Sequence, residues 1–172
     1  MQNQTTPVIS FVAKSGSGKT TLLEKVIKRL KEEGIRLAVI KHDAHQFDMD
    51  KPGKDTWKMA QAGADIVAIS SPAKFAIIEK VDEEKKLDEV IAMLSKVDLI
   101  LTEGFKRSNK PKIEVFRSEA HKDLLCTPSE LIAIASDIKW EIGVPCHDIN
   151  DVEGIAQEVL KYMKDFSTSI SS

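Results

Sequence analysis

Apolar and polar positions along the chain alternate between two periods. Residues 8–13 are a short apolar run that ends in a glycine-rich turn, the pattern of a buried strand. The period then lengthens. Leu22, Leu23, Val26, Ile27 and Leu30 share one helical face, with Lys25, Lys28, Arg29 and Glu32 on the other and Gly34 as a stop. Residues 35–41 read as the next strand, so the chain opens on a βαβ unit. Residues 42–54 are polar and contain Pro52 and Gly53; they predict a long loop, a class that often carries function. Residues 55–62 read as a helix, and 66–70 and 75–81 as strands broken by Pro72. Leu87, Val90, Ile91 and Leu94 form the buried stripe of another helix. Residues 99–102 are an apolar strand closed by Glu103 and Gly104, with further strands at 113–116, 131–135 and 144–149. Val152, Ile155, Ala156, Val159, Leu160 and Met163 recur at helical spacing in the final helix. Continuous apolar strands between amphipathic helices predict an α/β fold: a mostly parallel sheet with helices on both faces.

Length and composition narrow this further. The 172 residues, 42% hydrophobic and 30% charged, suit one domain over residues 1–166, with 167–172 as a frayed tail. A net charge of -2 gives no basic field for nucleic acid or an anionic membrane, and neither is an expected partner. Cys126 and Cys146 stand far apart in no paired motif, which fits a reducing compartment. The N-terminus lacks a signal-peptide pattern and no apolar run is long enough to span a bilayer, so the expected location is cytoplasmic.

The first candidate chemistry lies between the first strand and first helix. Ala13-Lys14-Ser15-Gly16-Ser17-Gly18-Lys19-Thr20-Thr21 matches the P-loop pattern G-x-x-x-x-G-K-[ST], with Ala13 in place of the first glycine. Gly16 and Gly18 let backbone N–H groups approach phosphate oxygens. The helix beginning near Lys19 directs its positive dipole end at the same anion. The Lys19 ammonium is a point charge for the β- and γ-phosphates, and the Thr20 hydroxyl is a Mg²⁺ ligand. Residues Lys14, Ser15, Gly16, Ser17, Gly18, Lys19, Thr20 and Thr21 therefore form the expected nucleotide cradle of a P-loop NTPase-like fold. Lys14 occupies the position of the signature lysine of deviant P-loop ATPases, which reaches across a dimer. An exposed loop lysine is the reading preferred here, because Ser15 replaces the glycine such loops carry next.

Carboxylates near the strand ends come next. Residues 99–103 resemble a Walker B strand ending in Glu103, which would face the P-loop and hold Mg²⁺ directly or through water. Asp98 opens the same strand and reads as a strand-opening or capping residue. Asp43, in the loop after the second strand, is a candidate for a water-mediated Mg²⁺ contact. His42 and His45 have no recognised zinc spacing. Asp137 follows a late strand, where GTP-binding proteins carry an aspartate that accepts hydrogen bonds from guanine. Only the Asp of the N/T-K-x-D motif is present, and a capping or turn role competes equally.

Several blocks together resemble one family. These are residues 15–22, Ile40-Lys41-His42, Asp50-Lys51-Pro52-Gly53-Lys54-Asp55, Ala62-Gly63-Ala64, residues 98–106 and residues 148–154. In this order they resemble the molybdopterin-guanine dinucleotide biosynthesis protein B family over nearly the whole chain. The resemblance implies a homodimeric GTP-binding protein with weak GTPase activity. Its implied partner is the guanylyltransferase that joins GMP to molybdopterin, and its implied role is to assist that step. It also implies that Lys41, His42, Lys51 and Lys54 contact the phosphate or pterin of molybdopterin. Strands 75–81 and 113–116 are then candidates to pair across the dimer as edge strands.

Two other readings stay open at this point. A P-loop small-molecule kinase generally needs a lid of several arginines. The chain has only Arg29, Arg36, Arg107 and Arg117, of which the last two are the possible lid residues. A nucleotide-dependent switch or adaptor of another cofactor pathway would share every feature so far. For hydrolysis the best carboxylates are Asp43 and Glu103; with little beyond Mg²⁺, Lys19 and loop amides, a slow reaction is expected.

Overall fold

The apolar runs become strands and the longer-period segments become helices, at nearly the positions the pattern predicts. In chain order the elements are β1 (Val8–Val12), α1 (Lys19–Glu32), β2 (Leu37–Lys41), α2 (Asp55–Gln61), β3 (Ile66–Ser70), β4 (Phe75–Glu79), α3 (Leu87–Ala92), β5 (Leu99–Glu103), β6 (Lys112–Phe116), β7 (Leu131–Ser136), β8 (Cys146–Asp148) and α4 (Val152–Ile170). This computed structural model describes residues 6–43 and 47–170. Two compact units divide them. One runs up to His42 and resumes at Leu87, and the other is Asp43–Lys86.

The first unit holds a six-stranded sheet in the order β2-β5-β1-β6-β7-β8. Every neighbouring pair is parallel, which explains the unbroken apolar strands: a parallel sheet is covered on both faces. Side chains alternate between those faces. Ile9, Phe11, Leu101, Ile113 and Val115 pack against Leu22, Leu23, Val26 and Leu30 of α1 and Ile155, Ala156 and Val159 of α4. Val8, Ile40 and Ile100 form the smaller core on the other face, with Leu87, Val90 and Ile91 of α3. Helix α1 ends as its sequence demands. Gly34, at φ +76°, turns the chain, and its N–H donates to Lys31 O at 3.0 Å. Arg29 ties α1 to α4 through Glu153 at 2.6 Å. Helix α4 continues through Ile170, past residue 166 where the sequence pattern ended the domain. No helix among the described residues is long and apolar enough to cross a membrane.

Strand β6 corrects one expectation. It lies between β1 and β7 with all five residues buried, so residues 113–116 are not an edge strand. It also carries two buried charges, each satisfied by a loop. Lys112 Nζ donates to Ser108 O at 2.7 Å and pairs with Glu130 at 3.0 Å. The Glu114 carboxylate accepts from the N–H groups of Leu125 at 2.6 Å and Cys126 at 2.9 Å. Burial, with Glu114 and Glu130 nearby, pushes the Cys126 thiol up to about 12, so it is a protonated side chain at neutral pH.

The second unit contains α2 and an antiparallel hairpin of β3 and β4, in which Val67 pairs with Ile78 and Ala68 with Ile77. Cross-strand partners share a face and successive residues alternate, so Ile66, Ile77 and Phe75 lie on one face and Ile69 and Ile78 on the other. All five are exposed.

Leu101 is fully buried between β1 and β2 neighbours. Leu101→Ala should destabilise the protein by about 2–5 kcal/mol, read as a lower urea midpoint with an unchanged slope.

Candidate functional site

The loop after β1 has the geometry an anion cradle requires. Gly16 and Gly18 both lie at φ +82°, a left-handed conformation that glycine adopts without strain. Gly18 caps α1, and its carbonyl accepts the first helical bond from Leu22 N–H at 3.1 Å. Ser17 is buried, and its hydroxyl donates to Lys14 O at 3.0 Å, closing the loop on itself. Ala13, where the motif has glycine, is buried in the core beneath the loop. Its methyl group therefore packs rather than obstructs.

Adjacent parallel strands bring the carboxylate to this loop. In the register of β1 and β5, Phe11 lies opposite Glu103. Lys19 Nζ forms an ion pair with Glu103 Oε1, and Thr20 Oγ1 donates to the same oxygen at 2.8 Å. Burial raises the Glu103 pKa, but hydrogen bonds from Lys19 and Thr20 and the charges of Lys19 and Lys41 outweigh it, leaving the carboxyl below its ordinary range. Lys41 pairs in register with Glu103 from the other side, on β2. His42 follows, with its N–H donating to Glu103 O at 2.9 Å and its ring 4.9 Å from that of Phe105. Gly104 fits between these parts because it has no side chain: a Cβ there would lie 3.1 Å from His42 Cβ, and its φ is +94°.

The structure thus brings Lys19, Thr20, Glu103, Lys41 and His42 together in the first unit. Asp43, Lys51 and Lys54 belong to the second, and His45 lies outside the described residues. In the second unit, Asp50 orders the turn before α2, accepting from Lys51 N–H at 2.9 Å and Thr56 Oγ1 at 3.0 Å. The donor set suits Mg²⁺. Thr20 and Glu103 offer hard oxygen atoms, and such ions commonly take one or two protein ligands alongside phosphate and water. No group of three or more His, Cys, Asp or Glu among the described residues could hold a metal ion by itself.

On the other flank of β1, the segment after β6 fastens onto the P-loop. Lys14 Nζ donates to Asp123 O at 2.9 Å, and the His121 ring nitrogen Nε2 lies 2.9 Å from Ser15 O. Asp137 accepts from Ser118 N–H at 2.8 Å and from Ser118 Oγ at 2.8 Å. Burial raises its pKa, but these donors and the charge of Arg117 bring it below the ordinary range. Asp137 therefore anchors this segment at its start, and Glu114 anchors it near its end. Pattern reading did not find Glu114, although a carboxylate inside the apolar run Ile113-Glu114-Val115-Phe116 is the signal that marks it.

The chain is similar to known proteins over most of its length. The sequence profile of the family described as molybdopterin guanine dinucleotide synthesis protein B matches residues 8–137. The molybdopterin-guanine dinucleotide biosynthesis adapter protein of Escherichia coli (strain K12) is 43% identical over 164 residues, covering 92% of this chain and 94% of that protein. Its Haemophilus influenzae counterpart is 37% identical over 168 residues, covering 96% and 94%. A crystal structure of molybdopterin-guanine biosynthesis protein B superposes with a TM-score of 0.71 at 33% identity, covering 91% of this chain and 99% of that one. A crystal structure of Bacillus subtilis MobB gives 0.73 at 26% identity, covering 90% and 96%. The chain belongs to the molybdopterin guanine dinucleotide synthesis protein B family.

Proposed function

We propose that this chain is a GTP-binding adapter with weak GTPase activity that assists attachment of GMP to molybdopterin. The observation that carries the nucleotide part is the meeting of Lys19 and Thr20 at Glu103 beside a loop with two left-handed glycines. The names of its relatives support the adapter role. Thr20 and Glu103 would hold Mg²⁺, which supplies charge neutralisation at the phosphates when bound. Lys19 adds its fixed charge, and the loop amides add oriented donors. Glu103 is already engaged by Lys19 and Thr20, so it is a poor base for activating water. This favours slow turnover and leaves acceptor chemistry to a guanylyltransferase partner.

The second copy expected of a homodimer has a candidate contact. A two-stranded hairpin is marginal by itself, and this one exposes apolar residues on both faces: Ile66, Ile69, Phe75 and Ile77 are each more than half exposed (54%, 56%, 65% and 57%). We assign β3 and β4 to the dimer contact.

Three outcomes are expected. In a competition titration with Mg²⁺, GTP should displace a labelled guanine nucleotide at lower concentration than ATP, and Lys19→Ala should weaken both by tenfold or more, on the order of the ~1.5–3 kcal/mol of a charged hydrogen bond. Equal affinity for the two nucleotides would remove the guanine assignment. Light scattering should give twice the chain mass for the wild type and one chain mass for Ile69→Asp/Ile77→Asp; a monomeric wild type would rule out the hairpin contact. The third outcome concerns acid. The Glu103 pKa is lower in the folded chain than the unfolded value of 4.5, so its stabilisation is present above that value and lost as pH falls through the folded pKa. Without nucleotide, the wild type should therefore lose more unfolding free energy than Glu103→Gln between neutral pH and about pH 3. Parallel curves would show that the Lys19–Glu103 pair contributes nothing measurable.

A further inference from the structure

Arg117, whose charge acts on Asp137, also has a specific position beside the P-loop. It is the first residue beyond β6, and β6 flanks β1 on the side away from β5. The P-loop leaving β1 therefore runs between Glu103 on one flank and Arg117 on the other. A Cβ built on Gly18 would lie 3.6 Å from Arg117 Nη2, so the guanidinium sits directly beside the backbone of the glycine that caps α1.

The backbone that carries Arg117 is held by several contacts. Ser118, the next residue, is held through its N–H and hydroxyl by Asp137. The Arg117 carbonyl accepts from Ala120 N–H and His121 N–H, each at 3.1 Å, which turns the chain back. His121 then reaches Ser15 O, Lys14 reaches Asp123 O, and buried Glu114 clamps Leu125 and Cys126. Residues 117–126 thus form a strap across the P-loop, and its first side chain is a guanidinium at the mouth of the cradle.

We propose that Arg117 is a nucleotide-contacting residue that binds the α/β-phosphate portion of the nucleotide, with the strap as its positioning device. This rests on the nucleotide reading above. The flank decides which phosphates it serves. Thr20 and Glu103, the metal and γ-phosphate side of the cradle, lie toward β5, whereas Arg117 lies toward β6. A guanidinium suits the task because it keeps its charge and offers several N–H donors in one plane. A contact to the shared diphosphate strengthens binding of GDP and GTP alike, unlike an arginine that reads the γ-phosphate.

The test is a pair of titrations with fluorescent GDP and GTP analogues in the presence of Mg²⁺, on the full chain. Arg117→Ala should weaken both nucleotides about ten- to a hundredfold and to a similar extent. Arg117→Lys should recover part of the loss, because it restores the charge but not the fork. Unchanged affinity in Arg117→Ala overturns the proposal, as does a loss confined to GTP. If Arg117→Ala fails to fold by circular dichroism, Arg117→Gln gives the same comparison with the side-chain bulk retained. A wild type that binds neither nucleotide would overturn the nucleotide reading itself. A wild type that binds both, beside an unaffected variant, would overturn only the role of Arg117.

Discussion

The register between β1 and β5 is the constraint from which the site follows. Phe11 opposite Glu103 fixes a carboxylate one strand away from the loop that β1 launches. Because both strands run the same way, both loops leave the same edge of the sheet, the edge where open α/β folds bind ligands. Lys19, in the first turn of α1, meets Glu103 with no long excursion of either chain. A slip of one residue would turn Glu103 toward the opposite face of the sheet. The slip is opposed by the core itself, since Leu99 and Leu101 would leave the face that α1 and α4 cover.

Strand β6 shows a different economy. Burying an ammonium and a carboxylate costs several kcal/mol each unless every group finds a partner. Lys112 and Glu114 both find theirs in loops: Ser108 and Glu130 for one, Leu125 and Cys126 for the other. Hydrophobic residues in these places would pack at least as well but would leave the loops untethered. The buried charges therefore act on placement. They tie the segments on either side of β6 to the sheet, and one of those segments crosses the P-loop.

Much of this was legible in the sequence because it depends on local pattern. The helix stop at Gly34, the strand before the P-loop and the amphipathic stripe of α4 each need only a few neighbouring residues to be read. The P-loop and Glu103 were legible for the same reason, as a short motif and a strand end. Strand order was not. Residues 113–116 gave no sign that the connection from β5 would carry them past β1 into the interior of the sheet, which is why they could be taken for an edge. Nor could local pattern show that Asp137 meets Ser118, or that Lys14 meets Asp123, 109 residues away in the chain. Such contacts exist only once the parallel strands have set which loops share an edge.

The two compact units differ in how completely they bury their own apolar surface. The first covers both faces of its sheet with its own helices, so its cores close without help. The second exposes Phe75, Ile77, Ile69 and Ile66 in a two-stranded hairpin and buries none of the residues of α2. Exposed apolar surface of this kind lowers solubility unless something covers it. Core closure and exposed apolar surface therefore belong to different residues of one chain. The core of the first unit is held in shape by its own packing. The hairpin has no such enclosure: two strands with apolar residues on both faces are too few to bury those residues by themselves.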